Sequence, residues 1–120
     1  MEFNEKVKEI LDELKALYKT ESALIKKDGR LVFSDFTLGF HSNEIFGAMS
    51  TTMLGAAKNI TAECRKGFPK RIIIQTGNAN IIITNTGSSA FLMCMFDSID
   101  DSKEIIGEID KAAEKIKDLL

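Results

Sequence analysis

The sequence predicts an α/β (α+β) domain: a three-layer α/β/α sandwich of order α-β-β-α-β-β-β-α with a five-stranded, mainly antiparallel sheet. Three observations carry this. Segments near either end of the chain each hold one apolar stripe at helical spacing. Between them "EIFGAMSTTMLGAAKN", residues 44–59, reads as a helix with no charged side chain from Ile45 to Ala57. The strands "RIIIQT", "NIIIT" and "AFLMCMF" run apolar without alternating, whereas an antiparallel strand with one wet face alternates. Both faces of the sheet must then be covered. The two striped helices take one face and the middle helix the other.

Each element has its own signal. Residues 3–19 place Phe3, Val7, Ile10, Leu11, Leu14 and Leu17 on one face of an amphipathic helix. Ala23–Ile25 and Leu31–Phe33 flank Asp28-Gly29, a pair that tolerates the positive φ of a tight hairpin. Residues 35–41 read as a loop, with Ser42 or Asn43 capping the middle helix and Glu44 at the positive end of its dipole. "RKGFP" ends that helix near Arg65, with Gly67 as C-cap and Pro69 beyond. Arg71–Thr76, Asn80–Thr84 and Ala90–Phe96 form a meander with turns at Gly77-Asn78 and Asn85–Ser88. The last helix spans about 102–119, with capping-box spacing at Asp101 and Glu104 and a stripe of Ile105, Ile109, Ala112, Ile116 and Leu119.

Length and composition narrow the function classes. At 120 residues, 44% hydrophobic and 28% charged, the chain reads as one globular domain over 1–120. A net charge of −2 lacks the basic excess of a nucleic-acid binder. No apolar run approaches the roughly 20 residues of a membrane span. The polar N-terminus is unlike a signal peptide. Cys64 and Cys94 sit in apolar sequence and read as two buried thiols. The expectation is a cytoplasmic protein.

The middle helix divides into two sides at 100° per residue. Phe46, Met49, Met53, Ala56, Ala57, Ile60 and Cys64 make a bulky side, expected to pack on the sheet. Gly47, Thr51, Leu54, Gly55, Lys58 and Ala62 make a slim one. Glycine inside a helix costs about 1 kcal/mol against alanine, so Gly47 and Gly55 imply a close backbone. A second copy about a two-fold axis is the economical cover for that side. "RIIIQT" is expected at a sheet edge, where pairing with its own copy removes an aggregation hazard. Arg71, Ile73 and Gln75 then share one orientation near the seam. The expected dimer interface is thus Gly47, Thr51, Leu54, Gly55, Lys58, Arg71, Ile73 and Gln75.

The stretches "ALIKKDGRLVFS", "FGAMSTTMLGAAKNI", "KRIIIQTGNANIIITNTGSSAFLMCMF" and "AAEKIKDLL", in this order, resemble the Roadblock/dynein light chain family over nearly the whole chain. The resemblance implies homodimers joined by the middle helix and third strand into one continuous sheet. It implies a non-enzymatic platform that binds or regulates a small Ras-like GTPase, as a compact prokaryotic regulator does. Profilin and longin folds share related layouts. A ligand-sensing module, or a structural subunit of a larger complex, is the alternative use of the same fold.

No catalytic or cofactor motif stands out. His41 beside Ser42 and near Asp35 is a poor triad, because sequence neighbours rarely have triad geometry. Two isolated cysteines and one histidine lack zinc-site spacing. The glycines match neither a P-loop nor a dinucleotide fingerprint. Asp97, Asp100 and Asp101 read as capping rather than metal ligands, and Asp28 as a turn residue. No arginine finger is marked among Arg30, Arg65 and Arg71. No catalytic, cofactor-binding or metal residue is expected.

Overall fold

A computed structural model describes residues 2–37, 43–98 and 102–120. The elements follow the predicted order: α1 Phe3–Tyr18, β1 Glu21–Lys26, β2 Leu31–Ser34, α2 Asn43–Glu63, β3 Arg71–Gln75, β4 Ala79–Thr86, β5 Ala90–Asp97 and α3 Lys103–Lys117. The strands form one sheet in the order β2-β1-β5-β4-β3, with every neighbouring pair antiparallel. The third strand therefore lies at an edge, as its sequence predicts.

Strand periodicity of two sends alternate side chains into two separate cores. Leu24, Ile82, Ala90, Leu92, Cys94 and Phe96 pack with Val7, Leu11 and Leu14 of α1 and with Ile105, Ile109 and Ile116 of α3. Ala23, Ile25, Ile83, Phe91 and Met93 face the other way, toward Leu54 of α2. This is why the meander strands lack polar alternation: the central strands are wet on neither side. Leu17, expected on the buried stripe of α1, is instead 69% exposed. One buried polar side chain ties the layers together: Thr86 Oγ1 of β4 donates to the Ala113 carbonyl of α3 at 2.5 Å.

Two turn expectations meet different outcomes. Gly29 has φ 95°, and Asp28 serves the hairpin as a turn residue. Its Oδ1 accepts from Arg30 N at 3.1 Å, which with the Arg30 guanidinium holds the carboxyl below its usual range. At the end of α2 the left-handed cap is Arg65, at φ 55°, rather than Gly67. Arg65 N donates to Ala62 O and Lys66 N to Thr61 O, the double bond pattern of a Schellman motif. Gly67, at φ 83°, continues the reversal beyond the cap. His41, Ser42, Asp100 and Asp101 lie outside the described residues. Ser102, at the N-cap of α3, makes no capping bond.

The cysteines differ in environment. Cys94 is buried against Ser22 Oγ at 3.4 Å, and desolvation pushes its thiol up to about 12. Cys64, expected to be buried, is exposed just past the end of α2. A native chain treated with a thiol reagent near pH 8 should label Cys64 alone, with Cys94 reacting only on unfolding. Mass spectrometry counts the adducts, and rapid double labelling of the folded chain contradicts this burial.

Candidate self-association surface

α2 is the longest helix, yet of its 21 residues only Gly47, Ser50 and Leu54 are buried. Thr51 and Lys58 are half-buried on the same side. The slim side therefore faces its own sheet, the reverse of the orientation the sequence suggested. The reason is volume. Phe91, Met93 and Ile83 of the sheet, with Leu31, Ile72, Ile74 and Ile81 around them, already fill the layer. What remains admits Leu54 fully and Phe46 in part, and otherwise small side chains.

Gly47 carries the closest approach. A Cβ built there would lie 1.8 Å from the Gly29 carbonyl oxygen and 2.9 Å from its carbon. The close backbone inferred from the glycines is thus real, but it is the hairpin turn of the same chain. Ser50 sits in the core because its Oγ donates to Phe46 O of its own helix at 2.8 Å, leaving no unpaired hydroxyl. Phe46 packs on Phe36 in a tilted pair with centroids 5.3 Å apart. At Gly55 a Cβ would meet nothing within 4 Å.

Apart from Phe46, which is half-buried against the sheet-side core, the large residues of α2 point outward. Ile45, Met49, Met53 and Ile60 are 50%, 53%, 38% and 64% exposed. Their spacing puts them along one side of the helix, with Ala56 exposed between them. Of the eight large hydrophobics exposed among the described residues, six lie between positions 45 and 73, Phe68 and Ile73 completing the set. The four on α2 single out one stripe of the surface, because scattered exposed hydrophobics are ordinary and a continuous stripe is not.

β3 follows α2 in the chain and forms one edge of the sheet. Among the described residues it pairs only with β4, so its other edge offers unpaired backbone groups. Ile72 and Ile74 turn into the α2-side core. Arg71, Ile73 and Gln75 alternate to the opposite side, where Arg71 Nη2 donates to Asp110 Oδ2 of α3 at 2.6 Å. The alternation of the strand puts these three on one face of the sheet. Arg71 Nε is buried and has no partner among the described residues, an arrangement that costs about 1–3 kcal/mol if nothing else satisfies it.

One titratable group stands apart. Burial lowers the Lys27 amine to about 8 from 10.5, and the neighbouring Lys58 ammonium pushes the same way. Lys58 of α2 and Asn85 of β4 are the polar groups that face it. The folded chain then holds fewer protons than the unfolded one between pH 8 and 10.5, so the Lys27 contribution to stability rises with pH across that window. Urea midpoints should show the parent chain gaining on Lys27→Met between those two pH values, and a flat difference contradicts the shift. Among the described residues no group of three His, Cys, Asp or Glu could hold a metal ion. No helix there is long and apolar enough to cross a membrane.

An antiparallel five-stranded sheet with two helices on one face and one on the other defines the profilin-like class of α+β folds. Within it, the chain belongs to the Roadblock/LC7 domain family, whose sequence model matches residues 6–96. Among solved structures it is similar to an MglB in a tetrameric arrangement, at TM-score 0.85 and 15% identity over 99% of this chain and 90% of that one. MglB of Myxococcus xanthus superposes at TM-score 0.83, with 17% identity over 95% and 94% of the two chains. A Roadblock/LC7 domain from Streptomyces avermitilis gives TM-score 0.76 and 12% identity over 89% and 91%. At these identities the likeness is one of fold. No curated protein matches the chain by sequence.

Proposed function

We propose that this chain, acting as a single domain over residues 1–120, forms a cytoplasmic homodimer that serves as a non-enzymatic scaffold for a small Ras-like GTPase and regulates it. The observation that carries the dimer is the outward stripe of Ile45, Met49, Met53 and Ile60 together with the open edge of β3. Removing one such side chain from water is worth about 1.5–3 kcal/mol, and a two-fold axis doubles the number removed. Gly55 at the margin of the stripe, and Arg71, Ile73 and Gln75 on the edge strand, belong to this interface. Gly47 and Leu54 are buried within their own chain and Thr51 and Lys58 are half-buried on the same side, so none of the four is assigned to it. Self-association accords with the tetrameric arrangement described for one structural relative.

The GTPase role rests on family membership and on a surface built for protein contact. Arg30 and Arg71 are engaged by Asp28 and Asp110, which leaves exposed Arg65 as the arginine to substitute in testing whether stimulation of hydrolysis works by positioning the partner's own residues. The decisive experiment captures Ras-like GTPases of the source cell on the immobilised dimer, each loaded with GTP or GDP. Retention that depends on the nucleotide is the expected result. Absence of retention in both states removes the GTPase reading and leaves the dimer standing.

A further inference from the structure

In an antiparallel ladder a residue directs its N–H and C=O to the same neighbouring strand, and successive residues face alternate sides. Two bonds at the strand ends fix that phase for β3. Thr76 N donates to Ala79 O at 2.9 Å, and Ser98 N donates to Asn78 O at 3.0 Å. Carried along the registers, the first turns the backbone groups of Thr76, Ile74 and Ile72 toward β4. The second turns those of Asn80 and Ile82 toward β5, which leaves Ala79, Ile81 and Ile83 for β3. The two bonds agree. The backbone groups of Arg71, Ile73 and Gln75 therefore point outward, at the edge that no described strand covers.

This edge is complementary to itself. A two-fold axis perpendicular to the sheet pairs two β3 strands antiparallel and keeps both α2 stripes on one face, where they can meet. Only Arg71, Ile73 and Gln75 have backbone groups to offer, so few registers are open. With Ile73 on the axis, Arg71 stands opposite the partner's Gln75 and every outward residue of the strand enters the ladder. Slipped by two residues one way, Gln75 stands opposite Pro69, which has no N–H to give. Slipped the other way, Arg71 stands opposite Gly77, in the bend beyond the strand. A larger slip sets Arg71 against its own counterpart, and like charges directly opposite are destabilising.

We propose that the dimer, on whose existence this inference rests, has Ile73 on its two-fold axis, and that each Arg71 is bridged between its own Asp110 and Gln75 of the partner subunit. Arg71 Nη2 already donates to Asp110 Oδ2 at 2.6 Å, on the face of the sheet that Gln75 shares. A guanidinium has further N–H donors in the same plane, and an amide carbonyl accepts them. Side chains directly opposite across an antiparallel pair start about 5 Å apart at Cβ, within reach of arginine and glutamine. Gln75 is exposed in the single chain, and Ile73 is 47% exposed. On the axis each Ile73 covers the other, and a polar pair closes the seam on either side.

Sedimentation equilibrium of the full chain reads the register through substitutions of opposite sign. Gln75→Glu should tighten the dimer roughly fivefold, because an ion pair replaces a neutral one on each side of the axis, and Gln75→Arg should weaken it by a similar factor. Both effects should vanish in an Arg71→Gln background, and the gain with Gln75→Glu should shrink at high salt. Cross-linking locates the axis directly. In a Cys64→Ser background, copper-phenanthroline oxidation should join Ile73→Cys to its own copy, since a residue on the axis meets its counterpart at about 5.5 Å between Cα atoms, within disulfide range. Gln75→Cys should not link to itself. A dimer indifferent to the charge at position 75, or one linked through Gln75→Cys and not Ile73→Cys, overturns this register and leaves the dimer standing. A parent chain that sediments as a monomer overturns both.

Discussion

Gly47→Ala should lower the urea midpoint of unfolding by an amount equivalent to roughly 3 kcal/mol, the upper range for an overpacked core. The added methyl would sit 1.8 Å from the Gly29 carbonyl oxygen. That oxygen belongs to backbone and cannot rotate away as the tip of a side chain can. Either the β1–β2 turn lifts off α2, or α2 withdraws with Leu54 from the core around Phe91. The same substitution at Gly55 gives the control, because a Cβ there meets nothing within 4 Å. Gly55→Ala, made in the Met49→Lys and Ile60→Lys background so that the proposed interface does not bear on it, should raise the midpoint, by up to about 1 kcal/mol of helix propensity. Opposite signs for one substitution at two positions of one helix report packing and not composition. Equal effects at both positions would show that the turn does not rest on the helix.

Met49→Lys combined with Ile60→Lys should convert the proposed dimer to a monomer in sedimentation at micromolar concentration, weakening association at least 100-fold. That factor corresponds to about 2.7 kcal/mol. A two-fold axis brings the same helix of each copy together, so each new ammonium meets apolar surface or its own counterpart, and like charges so placed cost several kcal/mol. Folding should survive, because both positions are more than half exposed in the single chain, at 53% and 64%. Circular dichroism of the double variant should therefore match the parent. A parent chain that sediments as a single 13.3 kDa particle at these concentrations removes the dimer outright. A double variant that remains dimeric moves the interface away from α2.

Most of the fold was legible in the sequence. The apolar stripes of α1 and α3 and the turn at Asp28-Gly29 are local signals, and local signals survive into the structure because nothing distant opposes them. The unalternating strands announced two covered faces, and β5 has them, with Leu92 and Cys94 on one side and Phe91 and Met93 on the other. Boundaries moved by a residue or two where helix ends fray. The cap at Arg65 was missed because sequence favours the nearby glycine for a left-handed residue, while the hydrogen bonds to Thr61 and Ala62 fix the position two residues earlier.

The chain by itself determined that α2 has a bulky side and a slim one, that its glycines imply a close backbone, and that β3 is an apolar edge strand. It did not determine which side of α2 turns inward. Amphipathicity decides orientation when one side is charged, but the one charge in the body of this helix, Lys58, lies on the slim side that turns inward. The choice fell to shape: the side chains of the sheet leave a shallow seat, the hairpin turn crosses at Gly47, and only the slim side fits beneath it. The large residues were left on the outside by volume rather than by polarity, a decision available only once the sheet had been assembled.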